Sequence, residues 1–403
     1  MDVVCQSCFG VAVLIYDVAI VGGGMVGLAF ACRLAAQQDL QVLVLDQTNN
    51  SRSRRVSALN LSSQAFLQKI DVWSQLSADH ISPYTRMHVW DDLHQGEIDF
   101  DATASRLDVL GYIVDNDAMQ HALLAKAKAN PNITLVTNVS FKTLARSADH
   151  ISLVTNEQTW QAKLAVGADG ARSQLREAAG IGVERKDYEE QGLIATVQCD
   201  RPLQQTAYQV FLETGPLAFL PLAAANSGLA SIVWSLPTHL MPAMLELDET
   251  NFNALLTSKM AGKVGAITHS EGRASFPLFQ QQATTYIADR VALIGDAAHT
   301  VHPLAGQGLN RGFADAGHLA EALWIASKKG REIGCQRDLR YYERAAKAEQ
   351  AMWTAGIDGI HALFAAKHTL WQRCRSRGLS MVNGIAPLKR LLVRTAVGNI
   401  ARV

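Results

Sequence analysis

YDVAIVGGGMVG, residues 16–27, decides how the first part of this chain folds. Tyr16 to Val21 is a short β-branched apolar run that reads as a buried strand. Met25 to Ala36 has the composition of a helix. Between them lies Gly22-x-Gly24-x-x-Gly27. The first glycine permits a tight turn, the second lets backbone approach a pyrophosphate, and the third lets helix and strand pack closely. Phosphates above this turn meet a helix N-terminus, where free N–H groups and the positive end of the macrodipole suit an anion. QVLVL at 41–45 returns as a second buried strand ending at Asp46, where a carboxylate can accept hydrogen bonds from adenosine ribose hydroxyls. Strand, glycines, helix, strand and acid complete a βαβ unit and predict a Rossmann-type dinucleotide-binding domain. This motif alone does not separate FAD from NAD.

Working outward, 403 residues exceed what one core organises, so two domains with a terminal appendage are expected. Hydrophobic residues at 48% and charged residues at 18% are ordinary for a soluble globular chain. The formal net charge of zero argues against nucleic acid as a partner. That balance is uneven along the chain. After Asp358 no acidic residue follows, whereas Lys367, Arg373, Arg375, Arg377, Lys389, Arg390, Arg394 and Arg402 make the tail basic. Cys5, Cys8, Cys32, Cys199, Cys335 and Cys374 are too scattered for a disulfide scaffold, which points to a reducing, cytoplasmic setting. Cys5 and Cys8 form a CxxC without a second ligand pair for zinc. The N-terminus lacks the basic region of a signal peptide. The uncharged stretch from Thr214 to Leu245 is interrupted by Pro216, Pro221, Pro237 and Pro242, and reads as strands and turns instead of a membrane span.

A helix over 117–129 and strands near 133–139, 151–155 and 163–168 follow the opening unit. From Gly192 to Leu236 the runs TAYQVFLETG, PLAFLPL and GLASIVWSL, separated by turn residues, predict a β-sheet substrate domain. Val291 to Ile294 is again a buried strand, and a long helix runs from about Gly308 to Ser327.

Two further motifs sit directly behind strands: Asp169-Gly170-Ala171-Arg172-Ser173-x-x-Arg176, and Gly295-Asp296-Ala297-Ala298-His299 followed by His302-Pro303 and Gly306-Gln307-Gly308-Leu309-Asn310. With GxGxxG, these resemble, across nearly the whole chain, the class A flavoprotein aromatic hydroxylases of the para-hydroxybenzoate hydroxylase fold. Arg55-Val-Ser-Ala-Leu59, LGYIVDN at 110–116, TGPLAFLPL at 214–222 and YERAAKAE at 342–349 are similar to the hydroxylases of ubiquinone biosynthesis within that group. Arg311 departs from the pattern, because an apolar residue usually follows GQGLN.

The resemblance implies an α/β fold with a Rossmann-type FAD-binding domain, a β-sheet substrate domain and a helical C-terminal segment. The expected division is 1–75, 103–184 and 281–365 for FAD, 76–102 and 185–280 for substrate, and 366–403 for the basic segment. FAD contacts are expected from Gly22, Gly24, Met25, Gly27, Asp46, Asp169, Gly295, Asp296, Pro303, Gly306, Gly308, Leu309 and Asn310. Arg55 is the candidate to neutralise the pyrophosphate, and by similarity Asn116 and Gln120 line the channel. Asp296 suits a ribityl or ribose hydroxyl, and the 306–310 backbone suits negative charge on the reduced ring.

Only one dinucleotide fingerprint is present, so electrons must come from a transiently docked cofactor or another protein. The resemblance implies NAD(P)H. It further implies oxygen transfer from O2, by way of a flavin C4a-hydroperoxide, to the ring of a polyprenylated phenol, with no obligatory side-chain nucleophile and no metal. Several readings stay open from the residues alone. Asp169 also suits a helix cap, Arg172 and Arg176 suit solvated positions, and His299 and His302 suit structural roles. Pro387 to Val403 fits either an amphipathic helix at an anionic inner-membrane surface or a packed helix with a solvated basic face, open to proteins of a biosynthetic complex. A flavin dehydrogenase or reductase acting on a lipid, or a noncatalytic flavoprotein scaffold, would share the same motifs.

Overall fold

The computed structural model describes residues 14–37, 39–47, 55–92, 96–222, 227–300 and 308–365, together with 389, 393, 397 and 398. The opening unit forms as the pattern predicts: β1 (Ile15–Val21), α1 (Met25–Gln37) and β2 (Val42–Asp46). Next come β3 (Val56–Leu59), α2 (Leu61–Lys69), β4 (Ile81–Tyr84), β5 (Arg86–Asp91), β6 (Glu97–Asp101) and β7 (Gly111–Asp115). They are followed by α3 (Asn116–Lys128), β8 (Ile133–Thr137), β9 (Phe141–Arg146), β10 (Ile151–Thr155), β11 (Thr159–Gly167) and α4 (Gln174–Ala178). The middle of the chain holds β12 (Val183–Cys199), β13 (Thr206–Leu212), β14 (Gly215–Pro221), β15 (Leu229–Pro237), α5 (Met241–Glu246) and α6 (Glu249–Lys259). The chain returns through β16 (Ile267–Ala283), β17 (Ile287–Ala288), β18 (Val291–Leu293) and β19 (His299–Thr300) to α7 (Gly308–Lys328) and α8 (Gln336–Ala365).

Three sheets result among the described residues. The first runs β17-β18-β11-β1-β2-β8, with β10 and β9 added beside β11. Its centre is parallel, β1 lying between β2 and β11. Helices cover both faces of such a sheet, so β1 and β2 are nearly continuous apolar runs, and Val18, Ile20, Val42 and Val44 are fully buried. The second sheet, β19-β16-β12-β15-β14-β13-β5-β6, is antiparallel except where β13 meets β5. Its face carries Trp234, Phe219 and Leu193 and is covered by Met241, Phe252, Leu256 and Met260 of α5 and α6. The third is the small antiparallel sheet β3-β7-β4.

Some elements depart from the sequence reading. Residues 241–246 are helical, not part of a strand-and-turn region, because Pro242 is tolerated in the first turn of α5. β4 pairs with β7, so the large antiparallel sheet begins at β5 and not near residue 76. β12 and β16, 17 residues each, run as one pair through positions 184 and 281, where the sequence suggested a change of domain. The first eight residues of β12 are mostly polar and exposed, so VERKDYEE carries no apolar alternation to announce a strand. A register shift between Asp187 and Glu190, with Glu189 at φ 55°, marks a bulge in this ribbon.

The described C-terminal residues are also informative. Val393 and Val397 are buried in a cluster with Ala102 and Leu110, and the Lys389 ammonium donates to the Asp99 carbonyl at 2.8 Å. The apolar positions described in this segment therefore face protein. Among the described residues, no helix is long and apolar enough to cross a membrane.

Candidate cofactor and active site

Three turns, each at the end of a parallel strand, meet around the N-terminus of α1. In the first, Gly22 has φ 110° and its N–H donates to the Leu45 carbonyl at 2.8 Å. A Cβ on Gly22 would lie 2.4 Å from the Ala168 carbonyl oxygen, and one on Gly27 would lie 2.0 Å from that of Gly22. These glycines are fixed by protein packing. Gly24 differs: a Cβ there would meet nothing within 4 Å, and the residue is exposed. Backbone open to approach at the helix start is what a pyrophosphate requires. The Asp46 carboxylate lies over Gly23, whose added Cβ would be 2.8 Å from it. From α3, the Gln120 amide donates to the Gly23 carbonyl at 2.8 Å and so braces the turn.

The second turn follows β11. Asp169 accepts from the Ser173 hydroxyl at 2.5 Å and from the Leu175 N–H at 3.1 Å, so its carboxylate caps α4. Burial pushes its pKa up, opposed by these bonds. Arg172 is exposed, but Arg176 is not a solvated partner: it is 7% exposed and donates to the carbonyls of Ala297 and Ala171, each at 2.9 Å. It ties the second turn to the third.

The third turn follows β18. Gly295 has φ 60°, and its Cα face meets Val26 of α1, which also fills the space beside Gly312. The Gly295 N–H donates to Asp315 Oδ2 at 2.9 Å, and His299 Nε2 lies 2.7 Å from the same oxygen. His299, 3% exposed, is thus structural. Asp296 projects from this turn. It is exposed, yet burial raises its pKa, opposed by the charges of His299 and Arg55. Its carboxylate thus reaches solvent while the protein around it disfavours the charged form.

At the start of α7, a Cβ on Gly308 would meet open space, whereas the Asn310 side chain is committed to protein. Its Oδ1 accepts from the Asn60 N–H at 2.9 Å and the Ser63 hydroxyl at 2.7 Å, while its Nδ2 donates to the Ala58 carbonyl at 2.8 Å. Leu309 packs against the hydrophobic core around the first sheet, as does Met25. Asn116, 8% exposed, opens α3, and its N–H donates to the Arg55 carbonyl at 3.0 Å. Pro303 and Gly306, with His302, lie outside the described residues, as do Cys5 and Cys8. Cys32 and Cys199 are buried free thiols, and burial pushes both up to about 12. Among the described residues no group of side chains could hold a metal.

Sequence reasoning missed Val26, Asp315 and the tying role of Arg176. Val26 and Arg176 belong to recognised motifs, but at positions whose partners lie far away in the chain.

These turns gather the open backbone at Gly24, the Asp46 carboxylate and the Asp296 carboxylate at the ends of the parallel strands. A family model described as "FAD binding domain" matches residues 15–355. The chain is 34% identical to the ubiquinone hydroxylase of Rhodospirillum rubrum, covering 97% of this chain and 91% of that one. It belongs to the FAD-dependent hydroxylase family of ubiquinone biosynthesis. Similarity to other family members is of the same order: 33% identity to the 3-demethoxyubiquinol 3-hydroxylase of Escherichia coli, over 95% of this chain and 98% of that one. Among solved structures, p-nitrophenol 4-monooxygenase from Pseudomonas putida superposes with a TM-score of 0.76 at 20% identity, over 94% of this chain and 96% of that one. A probable FAD-dependent monooxygenase from Pseudomonas aeruginosa gives 0.74 at 23%, over 91% and 99%. The monooxygenase architecture, a parallel sheet joined to an antiparallel one with C-terminal helices, is therefore shared.

Proposed function

We propose that this chain hydroxylates the aromatic ring of a polyprenylated phenol, with FAD as cofactor, NAD(P)H as reductant and O2 as oxidant. The observation that carries this reading is the meeting of the three strand-end turns at Val26 and Arg176, which aligns open backbone at Gly24, the Asp46 carboxylate and the Asp296 carboxylate on one side of the sheet. This arrangement fits FAD. Gly24 and the α1 N-terminus would receive the pyrophosphate, with Arg55 supplying positive charge, Asp46 the adenosine ribose, and Asp296 a hydroxyl of the flavin chain. Gly308 at the α7 N-terminus would offer backbone N–H to the ring. We further assign Asn116, Gln120, Asp169, Met25, Leu309 and Asn310 to framing the site, and Pro303 and Gly306 to its wall.

When bound, FAD supplies the activation of O2 and the redox chemistry. The protein's own part is to hold, orient and exclude water. A cleft of about 300 Å³ lies at the seam of the second and third sheets, lined by Ile81, Pro83 and Leu222 together with Asp79, Gln204 and Gln205, and it contains none of the residues assigned to FAD. One dinucleotide fingerprint with no second copy supports transient docking of NAD(P)H. The basic C-terminal segment would reach anionic lipid, where a polyprenylated substrate resides, through its charges, or else the proteins of a biosynthetic complex.

The test is turnover of the full-length protein with NAD(P)H, O2 and a short-chain prenylphenol. The expected result is a hydroxylated product formed in step with oxygen uptake. Oxidation or reduction of the lipid without oxygen incorporation would instead establish the dehydrogenase reading. In the cell, disrupting the gene should accumulate a quinone precursor, and an unchanged quinone pool would remove the pathway assignment.

A further inference from the structure

Asp296 is carried on the connection between two sheets: β18 ends at Leu293 in the first, and His299 begins β19 in the second. Of Gly295 to His299, only Asp296 is exposed. Asp315 of α7 holds this connection on both sides of Asp296. A single oxygen, Oδ2, accepts from the Gly295 N–H at 2.9 Å and lies 2.7 Å from His299 Nε2, so the residue before Asp296 and the residue three after it meet at one atom. A carboxylate only accepts, so Nε2 is the ring nitrogen that carries the proton. Asp315 and His299 are each 3% exposed, and burying a carboxylate costs several kcal/mol unless hydrogen bonds offset it. Packing alone would be served by an apolar side chain at this place, whereas the two donors account for a carboxylate. The remaining turn is held as well. The Ala298 N–H donates to the Gly295 carbonyl at 2.9 Å, Arg176 to the Ala297 carbonyl at 2.9 Å, and the Ala283 N–H to the Ala298 carbonyl at 2.8 Å.

We propose that Asp315 is a positioning residue of the FAD site: by holding Gly295 and His299 on one oxygen, it fixes where the Asp296 carboxylate stands relative to the cofactor hydroxyl it accepts from. This rests on the FAD reading above. A hydrogen bond weakens steeply as its distance and angle drift, so an acceptor of this kind has to be held within about 0.5 Å. Asp315 itself acts only through the turn. His299 is the other half of the clamp. Its ring lies beside that of Tyr286, 5.6 Å between centroids, and this packing sets the direction in which Nε2 meets Asp315. Negative charge is not what the role requires. Both donors converge on Oδ2, so the amide oxygen of an asparagine in the same place can accept from both.

The experiment measures FAD binding to full-length protein stripped of cofactor, by flavin fluorescence, beside the thermal melt of the same cofactor-free samples. FAD affinity is expected to have an acid limb, falling as Asp296 takes up its proton, so the comparison is made at mildly alkaline pH. Asp315→Ala should weaken FAD about tenfold, the worth of one charge-assisted hydrogen bond, while Asp315→Asn should stay within about threefold of wild type. Asp296→Ala supplies the readout that a merely structural role would not move. With the positioned group gone, adding Asp315→Ala to Asp296→Ala should weaken FAD by less than about threefold further. A lowered melting temperature with wild-type affinity overturns the proposal. So does Asp315→Asn binding as weakly as Asp315→Ala, or an undiminished loss in the Asp296→Ala background. If Asp315→Ala does not fold, His299→Phe carries the test, because it keeps a ring beside Tyr286 and removes the donor. It should weaken FAD about threefold on its own and leave affinity unchanged in the Asp296→Ala background. Equal losses in the two backgrounds, or none in either, refute the role. Wild type that binds no FAD would defeat the flavin reading itself, a result distinct from each of these.

Discussion

Gly24 and Gly27 lie three residues apart in one motif, yet substitutions there should fail in different ways. A side chain at Gly24 meets open space, so Gly24→Val should change the stability of the cofactor-free protein by less than about 1 kcal/mol while abolishing bound flavin. Visible absorbance of the purified variant and its thermal melt check both halves. A methyl on Gly27 collides with the Gly22 carbonyl, and Gly27→Ala should cost about 2 kcal/mol by forcing α1 away from β1. Asp296 has a conflict of its own. Burial raises its pKa, so the folded state without cofactor holds the proton more tightly than the unfolded chain does. The stability this gives is present at low pH and is lost as pH rises through the folded pKa. Asp296→Asn should therefore raise the melting temperature of the cofactor-free protein at neutral pH, and at the same time weaken FAD and flatten its acid limb. A variant that keeps the wild-type acid limb would show that another group titrates.

At the scale of elements, α7 is positioned by its first turn. Among the described residues, Asn310 bonds to β3, α2 and the turn between them, which fixes the start of α7 against the small sheet. Asn310→Ala should cost about 2–3 kcal/mol, since three modest bonds are lost and their partners stay partly buried. Chemical denaturation measures that loss, and the same variant should release FAD faster. The β12–β16 ribbon works in the same way at larger reach. It lies within the second sheet, where Gln282 of β16 pairs with His299 of β19, while β18 just before the turn belongs to the first, so the Asp296 turn is anchored to both sheets.

At the scale of the molecule, the described C-terminal residues pack where the turn after β6 meets the start of β7. Val393 and Val397 are each 5% exposed there, and a Cβ on Gly398 would lie 2.3 Å from the Ser62 hydroxyl beside the Asn310 anchor. Val397→Asp would bury an unpaired charge in an apolar cluster, at a cost of several kcal/mol if the segment stayed docked. The expected outcome is detachment, read as protease cleavage of the C-terminal segment at concentrations that leave wild type intact. Equal resistance of the variant would mean that this packing contributes little.

The sequence by itself determined the βαβ unit, the three flavin motifs and their order, because each depends on residues close together in the chain: an apolar run, a glycine that must be a glycine, an acid at a strand end. It also marked 206–237 as strands, since alternation and turn residues are local. Tertiary structure alone decided what the charged residues do. Asp169 could be a ligand or a cap until Ser173 and Leu175 were seen to occupy its carboxylate. Whether Arg176 was solvated stayed open until the carbonyl of Ala297, 121 positions away, was found to receive it. The polar ends of β12 and β16 form strands because they pair with each other, not because of any apolar period. Hydrophobic patterning follows from a residue's immediate neighbours, whereas a polar group is satisfied by whichever partner the fold delivers, and that partner is usually distant.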